Sequence, residues 1–396
     1  MYLVRRNLTA AVLVWLIVAS ALPAAAASTP GAATARPAPA AATGIVGRCA
    51  WAVRANRATL NVAYPDTAAT YWSMRFTVDP GHRLVIEGRL PHARYASFVT
   101  YDTSGRALDV LTDDEIRPVD GARSAPGRRY RVEVRPPGAS AGRENGLRSA
   151  SGRGVIIYRV YVPRRPSDPT GGTGLPHVAV GSRAAHLERV RTCRHAGPGN
   201  TVRAVERNGP ATDIPAPALP VCVRPKNDAT LYPNPDNAYL ATILRYRPAT
   251  LVVVRGRAPT TPPNRAGRAA AEAPDVRYWS LCSNEYRKPY PVTACSADYQ
   301  VPLDADGNYT FAVSTGADRP PSATRTRGVT WLDWGRTDVD ALLLLRQMLP
   351  ARAFSGSAAR LAPGAQAIPT LGAFAPRAAY CAVATFERGG AAACGL

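Results

Sequence analysis

The sequence predicts an all-β protein built as two tandem jelly-roll-like or β-sandwich domains related by internal duplication, and three observations carry this. Segments of the first half return in the second half in the same order: "YPDTAATYWSMRFTVDPGHRLVIEGRLP" (64–91) matches "YPNPDNAYLATILRYRPATLVVVRGRAP" (232–259), and "RYASFVTYD" (94–102) matches "RYWSLCSNE" (277–285). The matched stretches are short β-branched runs such as "RLVIEGRL", "LVVVRGR" and "GVIIYRVYV", bounded by Gly and Pro. Turn signals, "YDTSG" and "DADGNY", punctuate them, and many short strands with such punctuation form sandwiches.

Taken in order, residues 1–27 read as an export signal. Arg5 and Arg6 form the charged n-region, "AAVLVWLIVASAL" (10–22) the apolar core, and "PAAAAS" (23–28) the small-residue cleavage site near Ala27. The apolar run is too short for a stop-transfer helix, and the arginine pair leaves the general and twin-arginine export routes both open. An Ala/Pro/Thr spacer, 28–43, precedes the first β-sandwich repeat at 44–195. A Pro/Gly-rich linker, 196–220, leads to the second repeat at 221–396, and "TTPPNRAGRAAAEAP" (260–274) is a loop insertion found only there. The expected product is secreted, with no integral membrane contact.

Later matches complete the repeat. "DDEIRPVDG" (113–121) corresponds to "ADYQVPLDADG" (297–307), "YRVEV" (130–134) to "YTFAV" (309–313), and "VIIYRVYVP" (155–163) to "LLLLRQMLP" (342–350). Alone, "DALLLLRQML" passes for a helix. Its twin "VIIYRVYV" is so strongly β-forming that both are predicted as strands.

Among 49 basic residues only Lys226 and Lys288 are lysines, and the chain also holds 37 Pro and 32 Gly, a usage that fits a GC-rich, actinobacterial-type genome. The formal net charge of +21 favours anionic partners, and segment 120–207 alone holds 17 Arg against 6 acids. Arg128, Arg129 and Arg164 sit in that basic stretch. No nucleic-acid motif accompanies the charge, so nucleic acid is not an expected partner. There is no H-E-x-x-H, G-x-S-x-G, phosphate loop or dinucleotide fingerprint, and the five histidines lack metal-ligand spacing; neither metal nor cofactor is expected.

Seven cysteines in an exported chain imply three disulfides and one odd thiol. Cys282–Cys295 would join neighbouring strands. For the others two schemes respect the duplication: Cys49–Cys193 with Cys222–Cys381, or Cys193–Cys222 with Cys381–Cys394.

"RYWSLCSNE", "VPLDADGNYTFAVS" and "TWLDWG…LLLLRQMLP" together resemble the bacterial domain-of-unknown-function family 1214, with its W-S-L-x-x-x-[DE] strand and closing L-R-x-x-x-P strand. The resemblance covers 276–350 and, through the duplication, 94–163, where Ala96 replaces Trp279. It implies a jelly-roll-like β domain and carries no activity.

The candidate chemistry lies at the strand ends. Asp102 closes a row with Phe98 and Ala96, and Glu285 a row with Leu281 and Trp279, because residues two apart share a strand face. Arg159 and Arg346 each interrupt an aliphatic strand, where a charge needs a partner or a route to water. Three readings follow. Arg159 pairs with Asp102 and Arg346 with Glu285 to fix register. Alternatively each arginine faces an anionic or sugar ligand that stacks on Tyr95, Tyr278 or Trp279. In the third reading, Asp102 or Glu285 is catalytic in a glycoside hydrolase or lyase, Asp102 working with Asp113, Asp114 or Glu115. The function expected is non-catalytic binding of an anionic or carbohydrate polymer at the cell envelope. A carbohydrate-active enzyme and a purely structural secreted protein are the alternatives, and the oligomeric state is open.

Overall fold

The computed structural model describes residues 44–45, 47–138, 144–182, 186–194, 197, 201–208, 216–226, 232–263 and 274–396. The export signal, the spacer, parts of the linker and the middle of the loop insertion lie outside these. Residues 41–396 form one unit.

The strands of the first repeat are β1 (Gly44–Ile45), β2 (Val53–Ala55), β3 (Ala69–Thr77), β4 (His82–Arg89), β5 (Ala93–Tyr101), β6 (Ala107–Thr112), β7 (Arg129–Arg135), β8 (Gly146–Arg148), β9 (Arg153–Pro163), β10 (His177–Ser182) and β11 (Glu188–Val190). The second contributes β12 (Asn237–Leu244), β13 (Thr250–Arg257), β14 (Tyr278–Glu285), β15 (Val292–Ala297), β16 (Asn308–Ser314), β17 (Thr330–Asp333), β18 (Ala341–Met348) and β19 (Arg377–Ala382). The first sandwich packs the sheet β1-β3-β9-β5-β6 on β11-β10-β4-β7-β8; the second packs β12-β18-β14-β15 on β17-β16-β13-β19. With β1, β2 and β11 set aside, the two strand orders are identical. Even the irregularities repeat: β7–β8 and β16–β17 are the parallel pairs, and register slips between Thr100 and Tyr101 in β5 and at the equivalent Ser283/Asn284 in β14. The duplication read from sequence is thus present in the topology.

Side chains alternate between two different interiors. In β9, Ile156, Tyr158 and Val160 enter the first core, while Ile157 and Tyr161 point the other way. In β18, Leu343 and Leu345 enter the second core, while Leu342, Leu344 and Met348 point outward from it. Those outward faces meet: Tyr95 and Tyr161 cluster with Tyr278 and Met348, and Tyr64 with Tyr290 and Leu344. The two sandwiches therefore stack sheet against sheet, and β9 and β18 are buried on both faces. A strand with two buried faces has no polar side to alternate with, which is why "ALLLLRQM" is a strand with the composition of a helix.

The disulfides are Cys49–Cys193, Cys282–Cys295 and Cys381–Cys394, and Cys222 is a buried thiol. Neither predicted scheme holds throughout: the first repeat closes on itself, whereas the second bonds forward. The physical reason is the helix over Val383–Ala393, which follows β19 directly and brings Cys394 back to Cys381, with 5.5 Å between their Cα atoms. Cys282 and Cys295 are direct partners across β14 and β15, as the sequence predicts.

Candidate functional site

The interface between the repeats is reciprocal. Tyr64 and its twin Tyr232 both adopt left-handed backbone, with φ of 55° and 61°, a conformation uncommon for a bulky residue. The carbonyl of Tyr64 accepts from Arg346 of the second repeat, and that of Tyr232 accepts at 2.9 Å from Arg159 of the first. Within its sheet each arginine lies between a tyrosine and a serine: Tyr71 and Ser97 for Arg159, Tyr239 and Ser280 for Arg346. The hydroxyl of Tyr278 donates to Asp66 at 2.9 Å, and the hydroxyl of Tyr95 meets Asn234, the twin of Asp66. Three crossed ion pairs complete the pattern: Arg94 with Asp298, and Arg277 with both Asp113 (2.6 Å) and Asp114.

Two hollows open along this interface. The inner one is a cavity of about 730 Å³. Arg159 and Arg346 lie at its buried end with Tyr71, Tyr161 and Tyr239, while exposed Arg75 and Arg153 stand at its rim. The outer one is a groove of about 1570 Å³ between Arg54, Arg57, His92 and Arg164 of the first repeat and Arg277, Tyr299 and Gln300 of the second. Arg94 and Arg277 in its wall are held by the crossed ion pairs. Among the described residues no carboxylate pairs with Arg54, Arg57 or Arg164, and Asp114 is the acid in the lining. Tyr299 is 44 % exposed, with the Arg94 guanidinium 5.6 Å from its ring centre.

Several sequence expectations need correction here. Arg159 does not pair with Asp102, nor Arg346 with Glu285. Both arginines point across the interface, whereas both acids sit where the strand ends. Arg159 donates to the Tyr101 hydroxyl and the Tyr232 carbonyl; Arg346 donates to the Tyr64 carbonyl and Cys282 Sγ and lies 3.8 Å from Asp66. Asp102 opens a turn, its Oδ1 accepting from Ser104 N (2.9 Å), Ser104 Oγ (2.6 Å) and Arg106 N (3.0 Å). Partial burial works to raise its pKa, but these bonds outweigh it and hold the carboxyl below its ordinary value. Glu285 is half-buried at the end of β14. Tyr95, Tyr278 and Trp279 are at most 2 % exposed, so none offers a stacking face to a ligand at the surface; Trp279 belongs to the second core, against Tyr309 and Phe311. Of the basic surface residues, Arg164 lines the outer groove, Arg129 is exposed, and Arg128 is exposed and bonded to Asp120 at 2.8 Å.

The acids proposed as catalytic partners are engaged elsewhere. Asp113 and Asp114 hold Arg277, and Glu115 Oε2 accepts from the backbone and hydroxyl of Thr112. Burial pushes the Asp113 carboxyl up to about 6 against the pull of Arg277. Burial likewise raises Asp298 despite Arg94, and Asp236 despite the 2.6 Å hydrogen bond from Tyr95. Cys282, Cys295 and Asp66 come together, but the sulfurs form the disulfide and are not available as metal-ligating thiolates.

Residues that the sequence reading did not single out are Asp66, Tyr299, Arg54 and Arg57. The signal for Asp66 was present: it stands in the repeated "YPD"/"YPN" segment, directly before the strand that neighbours Arg159.

No family model matches the chain, and no curated protein matches it. Among solved structures, an uncharacterized protein from Burkholderia cenocepacia is similar at 14 % identity and a TM-score of 0.50, over 82 % of this chain and 79 % of that one. A protein from Vibrio parahaemolyticus aligns at 10 % identity and a TM-score of 0.41, over 76 % and 88 %. The Burkholderia likeness is one of fold.

Proposed function

We propose that this is a secreted, non-catalytic binding protein of the cell envelope whose outer groove takes an anionic polymer, an acidic carbohydrate among them. The observation that carries the reading is the set of guanidiniums of Arg54, Arg57 and Arg164, unpaired with any carboxylate among the described residues, beside the exposed ring of Tyr299. Guanidinium forks match carboxylates and phosphates, and an exposed tyrosine gives a sugar ring a flat apolar face. The groove is open along the seam of the two repeats and is larger than the usual 300–1,000 Å³ or so of a small-molecule pocket, as a chain-like ligand requires.

Three disulfides fit an oxidising, extracellular setting. Among the described residues no helix is long and apolar enough to cross a membrane. The export reading adds cleavage of the 1–27 segment near Ala27. The carbohydrate-active alternative has no comparable support, because Asp102 and Glu115 are tied into local hydrogen bonds and Asp113 and Asp114 into the crossed ion pairs with Arg277.

The test is titration of the purified protein with polygalacturonate and with neutral dextran. The proposal expects binding to the polyanion that weakens steeply as salt rises, and a further loss of about tenfold or more in an Arg57→Glu/Arg164→Glu double variant. Equal affinity for both polymers, or a double variant that binds like the parent, contradicts it.

A further inference from the structure

We infer that the inner cavity is a second, separate binding site for a small amphipathic anion, an acid with a carboxylate or phosphate head and an apolar body, whose head rests on Arg159. The pseudo-symmetry of the two repeats breaks at this point. Arg346 has the fully buried carboxylate of Asp66 3.8 Å away. At the position equivalent to Asp66 the second repeat carries Asn234, whose side chain bonds the Tyr95 hydroxyl, so no carboxylate stands there to serve the twin arginine, Arg159.

Arg159 is 3 % exposed, yet among the described residues no carboxylate lies within ion-pair reach of it. Its Nη2 serves the Tyr101 hydroxyl and the Tyr232 carbonyl, while Nε and Nη1 have no acceptor. The rings of Tyr71 and Tyr101, 5.8 and 5.5 Å from the guanidinium carbon, give partial compensation. Asp236 attracts Arg159 from beyond ion-pair distance, and its near oxygen is taken by the Tyr95 hydroxyl at 2.6 Å. A desolvated guanidinium with idle donors is costly to the fold unless an anion completes it.

The surroundings specify the rest of the ligand. Among the described residues the cavity lining contains five arginines and no Asp or Glu. Its walls are largely apolar, including Val62, Phe76, Ile157 and Leu344, and its volume of about 730 Å³ suits one small organic molecule. Exposed Arg75 and Arg153 at the rim would draw an anion in, and buried Arg159 would fix its head. The outer groove shares no described lining residue with this cavity, and this site does not depend on the polymer reading.

The test is isothermal titration calorimetry of the purified protein with 4-phenylbutyrate, 4-phenylbutyl phosphate and the uncharged 4-phenylbutanol. The inference expects one-to-one binding of at least one acid, about tenfold or more tighter than the alcohol, as a charge-assisted hydrogen bond requires. The better of the two acids identifies the head group. Arg159→Gln should lose about tenfold or more of that affinity. Asn234→Asp, which puts a carboxylate where Asp66 stands in the first repeat, should lose about tenfold or more of acid binding through the added negative charge; it keeps the test decisive if Arg159→Gln fails to fold. The inference is overturned if neither acid binds, if the alcohol binds as tightly, or if either folded variant binds acid like the parent.

Discussion

Replacing Asp66 by Asn tests how the two repeats are held together. Asp66 is completely buried; it accepts from Tyr278 at 2.9 and 3.0 Å, from Ser280 Oγ at 2.6 Å and from Ala68 N at 2.9 Å, and it faces Arg346 at 3.8 Å. An amide keeps the size but loses the charge, and its NH2 cannot accept the hydroxyl protons. Removing one partner of a buried ion pair costs about 3–5 kcal/mol, because the other charge stays desolvated. Here Arg346 retains the Tyr64 carbonyl and Cys282 Sγ, so the lower end, about 3 kcal/mol, is expected. Urea denaturation at neutral pH, followed by far-ultraviolet circular dichroism, measures it. An Arg346→Met partner in a double-mutant cycle isolates the pair, and much of the loss should be recovered when both charges are gone. A loss no larger than the ~1 kcal/mol of one neutral hydrogen bond, or a cycle with no coupling, would refute the assignment of Asp66 as the counter-charge of Arg346.

Two further outcomes are expected. Burial raises Asp113, to about 6, and also Asp236 and Asp298, so the native state holds protons on these carboxyls at pH values where the unfolded chain, near 3.8, has released them. More protons on the native state means stability that declines as pH rises; for Asp113 the decline runs from about 4 to 6 at a slope of up to about 1.4 kcal/mol per pH unit, and Asp236 and Asp298 act in the same direction. Denaturation midpoints across that window, in parent and Asp113→Asn, show the slope and its reduction, and a midpoint that climbs through the window contradicts it. Burial pushes the Cys222 thiol up to about 12, so a thiol reagent at pH 8 should label it only in denaturant, and rapid labelling of the native protein would contradict its place in the second core.

Much of the architecture was legible in the sequence because duplication doubles the evidence for each element. β18 reads as a strand only because its twin β9 is so rich in Val, Ile and Tyr. The stacking of the two sandwiches was harder to see. The reciprocal contacts join residues far apart in the chain, with Arg346 and Tyr64 separated by 282 positions, and a search for an acid on a neighbouring strand could not find them. One signal did point there: β9 and β18 have no polar alternation, so each must be covered on both sides, and in a sandwich the second cover has to come from outside it. Of the aromatic residues expected to stack on a ligand, Tyr95 and Tyr278 instead fill this second interior, and Trp279 fills the core of the second sandwich. Tyr299 and the pair Arg54/Arg57 went unmarked because no periodicity or motif distinguishes a groove wall from an ordinary solvated surface.

The claim that matters most is that the basic groove attaches the protein to an anionic polymer of the envelope. Co-sedimentation with insoluble cell walls, before and after their anionic polymers are stripped, and over rising salt, tests it directly. The account expects pelleting that disappears with salt or stripping and is lost in the Arg57→Glu/Arg164→Glu variant. Protein that stays in the supernatant of intact walls at low salt, or pellets equally with stripped walls, would contradict it.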